Sequence, residues 1–353
     1  MSGKHLRKPF YRAHPAGTAA LFLIILVLCG WFVRHSAMLY REKKAVERQL
    51  AERQNGEALP AFSPEHGGIL KLDGKNYRRN TAIRAVLCLG VDTSGELEQY
   101  QVSGVAGQAD SIFLVAQDMM TDTVQILMIP RDTMTEITLF DYFGNELGKG
   151  IQHLNLAFAY GDGREKSCEL TAEAVSDLLY GLKIDGYFTF NLETIRVLND
   201  EVGGVEVMVE DSSLAEHNPD FVLGESMLLK GSQAETYIRY RDTSQYRTAL
   251  TRQERQKGYM KAYIETAKQK YREDDQLIVR LVDDVEQYTI TNMAKDQYMD
   301  MGLAVLNSPQ VMEAEDFITV PGEVKETDLY EEYYPDEVEL KKLVVEMFYK
   351  EIK

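Results

Sequence analysis

A layered α/β domain beginning near residue 81 is the fold this sequence predicts, on three observations. The run "IRAVLCLGVD" (83–92) is almost continuously apolar and ends on an acid, as a strand buried on both faces would. Strand-like and helix-like segments then interleave, which favours α/β layers over a pure bundle or a sandwich. With 353 residues, 44% apolar and 27% charged, the chain can bury one large domain or two ordinary ones.

In chain order, the first element is an uncharged run, "AGTAALFLIILVLCGWFV", from Ala16 to Val33. At 1.5 Å rise per residue it approaches the ~30 Å needed to cross a bilayer core. It predicts a transmembrane helix over 16–36. Lys4, Arg7, Lys8 and Arg12 precede it without an acid, so the positive-inside rule leaves 1–15 in the cytoplasm and the rest outside. Arg34, Arg41, Lys43 and Lys44 pull against that orientation, and a cleaved signal peptide is the alternative reading of the run. Residues 37–54 carry strong helix formers with no Gly or Pro, and 55–80 reads as a linker. Together 37–80 is a juxtamembrane helix and linker.

Beyond residue 81, "SIFLVAQD" and "TVQILMIP" joined by "MMTD" predict a hairpin. "CELTAEAVSDLLYG" predicts a helix stopped by Gly181. "GYFTF" and "VEVMV" read as strands around the helical "LETIRVLNDEV", which closes on Gly203 and Gly204. "GSQAETYIRYR" and "RTALTRQERQKGYMKAYIETAKQKYR" read as helices. "FITVPGE" reads as a late strand and 335–350 as a closing helix. This divides the folded part into a domain at 81–265 and an extension at 266–353 packed on it.

A net charge of −17 argues against nucleic acid as a partner, since duplex binding needs a basic surface that displaces counterions. Any anionic ligand must then meet a local cluster of cations. Cys29, Cys88 and Cys168 form no disulfide framework. A Cys88–Cys168 bridge stands against a buried free thiol at Cys88, which the apolar run favours.

Four stretches place charge at the end of an apolar element: "LCLGVDT" with Asp92, "GQADS" with Asp110, "MIPRDT" with Arg131 and Asp132, and "YIRYRDT" with Arg239 and Arg241. Ligands of α/β sheets sit at strand ends. Carboxylates suit Mg²⁺, which takes one or two of them plus phosphate oxygens. Guanidinium groups meet phosphate with a planar fork that never loses its charge. In "TALTRQERQKGY", Arg252, Arg255 and Gln256 share a helix face and suit a common oxyanion; a solvated face explains them equally. Arg239 and Arg241 do not share a face.

The succession "GVDT", "ADSIFLV", "IPRDT", "LNLAFAYG", "GYFTFNLETIRVLNDEVGGVEV", "LKGSQAETYIRYRDT" and "RQERQ" resembles the LytR-CpsA-Psr family of bacterial cell-wall proteins across roughly 81–265. The resemblance implies an α/β/α sandwich with a central mixed sheet. It implies a membrane-anchored, extracellular phosphotransferase that moves a glycopolymer from a polyprenyl-pyrophosphate carrier to peptidoglycan. On this sequence Asp92 and Asp110 would hold Mg²⁺, and Arg131, Arg239, Arg241, Arg252 and Gln256 would grip the pyrophosphate. Asp92, Asp110 and Arg131 would be catalytic, with Asp132 the local ion-pair partner of Arg131. The isoprenoid tail would enter an apolar tunnel between sheet and helices. The sequence departs from the family pattern at Gln108, where an arginine is common, and at His153 and Leu156, where lysine and histidine are common. It departs again at Ala249, where an aspartate is common. Those departures keep two alternatives open: a polyprenyl-pyrophosphate pyrophosphatase, and a non-catalytic module that binds polyprenyl phosphates or wall glycans.

Overall fold

The computed structural model describes residues 69–100, 104–141, 143–242, 248–327 and 331–352. The apolar run at 16–36 and the helix expected at 37–54 lie outside the described residues. Among the described residues no helix is long and apolar enough to cross a membrane.

The chain opens with a short hairpin of β1 (Ile69–Leu72) and β2 (Lys75–Arg79), then enters β3 (Ile83–Val91), β4 (Ala109–Asp118) and β5 (Thr123–Ile129). A second hairpin, β6 (Met134–Phe140) and β7 (Glu146–His153), leads to α1 (Leu156–Ala159) and α2 (Glu165–Leu178). There follow β8 (Gly186–Phe190), α3 (Leu192–Glu201), β9 (Val205–Met208), α4 (Ser212–His217), β10 (Ser226–Leu229) and α5 (Ser232–Arg239). The long α6 (Thr248–Glu273) precedes α7 (Leu277–Val285), β11 (Thr289–Thr291) and α8 (Lys295–Asn307). The last elements are β12 (Phe317–Thr319), β13 (Gly322–Glu326), β14 (Glu331–Pro335), α9 (Glu337–Phe348) and β15 (Tyr349–Ile352).

Six strands form the central mixed sheet, in the order β11-β8-β3-β4-β5-β12. β3, β4 and β5 run antiparallel in turn, while β8 lies parallel to β3 and β12 parallel to β5. The period of two along a strand sends alternate side chains to opposite faces. Leu87, Leu89, Leu114 and Leu127 point to one face, where Cys168, Val175, Leu340 and Val344 of α2 and α9 cover them. All four leucines are fully buried, worth roughly 1.5–3 kcal/mol each. Val86, Cys88, Phe113 and Ile126 point to the other face, toward Met260 and Ile264 of α6 and Met301 and Val305 of α8. The result is the expected three-layer α/β/α arrangement, with both faces of the sheet covered. A further apolar cluster joins α3, α5, α6 and α7 with the β9–β10 pair.

The structure departs from the sequence reading at the domain edges. The segment expected as linker to residue 80 holds β1 and β2, and β2 pairs with β15 at the other end of the chain. The boundary expected at 265 falls inside α6. The region beyond it is more than an extension, because β11 and β12 are the two edges of the central sheet. "FITVPGE" is two strands, not one: β12 joins the central sheet and β13 pairs with β14, the break falling at Pro321. Cys88 and Cys168 are buried free thiols, so the bridge that the sequence left open does not form. Burial pushes both up to about 12.

Candidate functional site

The antiparallel order of β3, β4 and β5 brings the end of β3, the start of β4 and the end of β5 to one edge of the sheet. Asp92, Asp110 and Arg131 therefore meet there, though 39 positions separate the first from the last in sequence. Asp110 reaches the site through a bulge. Gly90 pairs with Ser111 but Val91 pairs with Ala109, so Asp110 is the extra residue of β4. Strict alternation would have aimed it with Ile112 into the core. The bulge turns it to the same cavity as Ser111, a re-aiming for which bulges beside sites are known.

Two helices supply the facing cations. Arg239 ends α5, and its Nη2 lies 2.7 Å from Asp92 Oδ1. Arg252, 6% exposed, donates from Nη1 to Asp110 Oδ2 at 3.2 Å and from Nη2 to the Asp110 carbonyl at 3.3 Å. Arg131 donates to Asp110 Oδ1 and, from Nε at 3.1 Å, to Asp132 Oδ1. One turn beyond Arg252, Gln256 accepts from the Ser111 hydroxyl at 3.4 Å and donates to the Ile238 carbonyl at 3.4 Å. Burial lowers the pKa of Arg252 against the pull of Asp110, with Arg131 and Arg241 adding repulsion. For Arg131 burial works the same way, but Asp110 and Asp132 outweigh it and its pKa rises. Both remain cations at any physiological pH. Carboxylates thus hold the guanidinium groups in place before any ligand arrives, and each arginine has donors to spare.

Asp132 has a different environment. It is buried between Arg131 and His153, whose Nδ1 lies 3.5 Å from Oδ1. Burial opposes its charge, but the His153 hydrogen bond and the Arg131 charge prevail, and its pKa falls below the ordinary 3.8. A depressed carboxylate contributes stability that is fully present above its unfolded value and is lost as pH falls through the folded one. Asp132→Asn is therefore expected to flatten the loss of Tm on acidification below about pH 4. Thermal melts at stepwise lower pH check this; a wild-type acid slope in the variant would contradict it.

Beside these groups lies an apolar cavity of about 470 Å³. Its floor is the α6-facing side of the sheet, with Val86, Cys88, Phe113 and Ile126, and its walls are Ile195 of α3, Tyr263 and Ala267 of α6, Leu281 of α7 and Met301 of α8. Asp92, Asp110, Arg239, Arg252 and Gln256 line the same cavity. This polar end is open to water, since the Asp92 and Arg239 side chains are 37% and 49% exposed. The cavity lies between sheet and helices, where a tunnel was expected, and α7 and α8, both beyond residue 265, help to line it.

Two further arginines have other partners. Arg241, expected among the pyrophosphate ligands, donates to Glu331 at 3.0 Å and to the Thr248 hydroxyl at 2.9 Å, near enough to Arg252 to repel its charge. Helix α5 ends at Arg239 and the backbone is extended at Tyr240, so Arg241 lies beyond the helix, where it meets Glu331 of β14. Arg255, which shares a helix face with Arg252 and could have met the same oxyanion, pairs with Asp211 and donates to the carbonyls of Tyr237 and Tyr240. Positions 252 and 255 differ by 300° around the helix axis, and two packed neighbours separate that angle into distinct environments. Gln253, which the sequence placed beside these arginines without a role, borders the Arg131–Arg252 cluster.

Among the described residues no group of three or more His, Cys, Asp and Glu side chains converges to cage a metal. Mg²⁺ needs less, because it keeps waters and takes one or two carboxylates plus phosphate oxygens. Asp92 and Asp110 are the hard oxygen donors such an ion would meet at the polar end of the cavity, and their present partners are Arg239, Arg131 and Arg252.

The LytR_cpsA_psr family model matches residues 37–348. The chain is 30% identical over 174 residues to the polyisoprenyl-teichoic acid–peptidoglycan teichoic acid transferase TagV of Bacillus subtilis (strain 168), covering 48% of this chain and 41% of that protein. It is 28% identical over 187 residues to a transferase of the same description, TagU, from Halalkalibacterium halodurans, covering 52% and 53%. The chain thus spans about half the length of the curated relatives it matches. Among solved structures, "TagT bound to LI-WTA" superposes with a TM-score of 0.58 at 20% identity, over 76% of this chain and 90% of that one. At that identity the likeness speaks for the fold.

Proposed function

The chain belongs to the LytR_cpsA_psr family, and on that premise we propose that it is a membrane-anchored phosphotransferase acting outside the cytoplasm. It moves a glycopolymer from a polyprenyl-pyrophosphate carrier to peptidoglycan. The observation that carries this reading is an apolar cavity of about 470 Å³ ending on arginines already held by carboxylates. A greasy chain joined to a diphosphate has the same two-part chemistry.

In this reading the isoprenoid tail fills the space between the sheet and α6–α8. Arg131, Arg239 and Arg252 take the diphosphate oxygens, with Gln256 bordering them. A hydroxyl of the acceptor glycan bonds to the phosphorus that carries the glycopolymer. The bond from that phosphorus to the bridging oxygen breaks, and polyprenyl phosphate leaves. The hydroxyl proton passes to a carboxylate at the mouth, Asp92 or Asp110, since Ala249 offers none. Such transfers need chiefly positioning and charge neutralisation, both of which arginines can supply. Mg²⁺, held by Asp92 and Asp110, would neutralise further phosphate charge when bound. The names of the relatives, teichoic acid transferases, support a wall glycopolymer as donor cargo.

Filling the cavity tests the lipid half of this reading. Ala267 is buried on the cavity wall. In Ala267→Phe the ring takes space from the tail, and displacing two of its carbons at ~0.8 kcal/mol each lowers lipid affinity roughly ten-fold. The assay is transfer from a purified lipid-linked glycan to peptidoglycan, with product analysis for the phosphodiester. An unchanged KM in a folded Ala267→Phe protein would sink the lipid assignment.

A further inference from the structure

The end of β7 holds the turn that carries Arg131. His153 is the last residue of that strand, opposite Met134 of β6. Beyond it, Leu154 donates its backbone N–H to the Thr133 carbonyl at 2.9 Å, and Asn155 donates to the Arg131 carbonyl at 3.1 Å. Asp132, which lies between those two carbonyls in the turn, is thereby brought against His153. Its Oδ1 accepts from Arg131 Nε at 3.1 Å and lies 3.5 Å from His153 Nδ1, so one carboxylate oxygen serves the guanidinium and the imidazole together. The Asp132 and His153 side chains are 10% and 15% exposed, so charge there is weakly screened while solvent still reaches the ring. A neutral imidazole that donates from Nδ1 has Nε2 left to take up a second proton. The other charged or titratable groups on the elements packed around this turn are Glu136 of β6, Lys149 of β7, Tyr160 after α1, and Glu331 and Tyr333 of β14. Glu136 is exposed, Lys149 is paired with Glu173 and Asp177, and Glu331 with Arg241. The Tyr160 ring lies against Phe140, and the Tyr333 hydroxyl donates to the Val320 carbonyl.

We propose that His153 is a positioning residue for Arg131, acting through Asp132, and that protonation of its ring strengthens the hold of Arg131 on the donor diphosphate. The inference rests on the diphosphate-binding reading above. While His153 is neutral, Asp132 offsets part of the Arg131 charge. Once the imidazolium forms, it offsets Asp132 in its turn, and more of the Arg131 charge acts on the phosphate oxygens. A unit charge several ångströms from an anion in a part-buried site changes affinity about ten-fold. The sign follows from linkage. A bound anion favours the imidazolium, and the imidazolium favours the anion by the same factor. The gain is therefore full at acid pH and is lost as pH rises through the range of about 5–8 in which histidine changes charge.

The test is the KM for a purified lipid-linked glycan in the transfer assay, at pH steps from about 5.5 to 8. Both phosphates of such a donor are esterified and keep one ionised oxygen each throughout, so the charge of the donor does not change. In the wild type KM should rise about ten-fold across that range. His153→Lys, a permanent cation, should hold KM low and level. His153→Gln, which keeps a donor toward Asp132 without the charge, should hold it high and level. Thermal melts establish that each variant is folded. A level KM in the wild type overturns the inference, as does the wild-type slope surviving in either folded variant, and in both cases transfer itself leaves the proposed function standing. Wild-type protein that transfers nothing from the lipid-linked glycan at any pH overturns the proposed function, and this inference with it.

Discussion

Arg252→Ala is expected to lower kcat/KM for glycan transfer by about 2–5 kcal/mol, the usual cost of truncating one partner of a buried, hydrogen-bonded charge pair. That is roughly 30- to 5,000-fold in rate. The size of the effect follows from where the group sits. Arg252 contacts both the side chain and the backbone of Asp110, and it lines the apolar cavity. Its removal takes a cation from the phosphate site and leaves Asp110 with Arg131 alone. Arg252→Lys should recover little, because an ammonium cannot reproduce the two-pronged contact. Steady-state transfer assays on folded protein check both variants, and turnover within a few-fold of wild type would remove Arg252 from the site.

Arg255→Ala, three positions along the same helix, is expected to act on stability. The Arg255 and Asp211 side chains are 4% and 10% exposed, and Arg255 also ties down the carbonyls of Tyr237 and Tyr240. Asp211 caps α4 by accepting from the backbone amides of Ser213 and Leu214. Burial lowers the pKa of Arg255 while Asp211 raises it, and burial prevails. Removing one partner of such a pair strands the other charge and costs about 3–5 kcal/mol. For a domain of this size that is a fall in Tm of roughly 6–20 °C. Calorimetry or thermal circular dichroism reads the shift. A melt unchanged within 2 °C, taken as a rough limit, would show that the pair contributes nothing net.

What the sequence revealed and what it hid divide along physical lines. β3, β4 and β5 were legible because burial on both faces makes a strand almost wholly apolar, and Arg131 stood out as a charge at the end of such a run. The bulge at Asp110 was not legible, since hydrophobic alternation gives its residue no mark. The split between Arg252 and Arg255 was hidden too: a helical wheel puts them close, and only the partners packed against each arginine part them. β1, β2 and β15 are short and largely polar, and their pairing joins residues 76–79 to 349–352, a distance no local pattern reports. β11 and β12, of three residues each, are too short to carry a periodic signal, though they close the sheet. The apolar cavity could not be told from a sealed core, because the same Val, Ile, Leu and Phe residues line either.

The most direct measurement is a crystal structure of the protein with a polyprenyl diphosphate and Mg²⁺. The proposed function requires the tail between Phe113, Ile126, Tyr263 and Leu281, and the diphosphate against Arg131, Arg239 and Arg252. A ligand lodged elsewhere, with the cavity closed by its own side chains and the arginines still bound only to their neighbouring carboxylates, would contradict it.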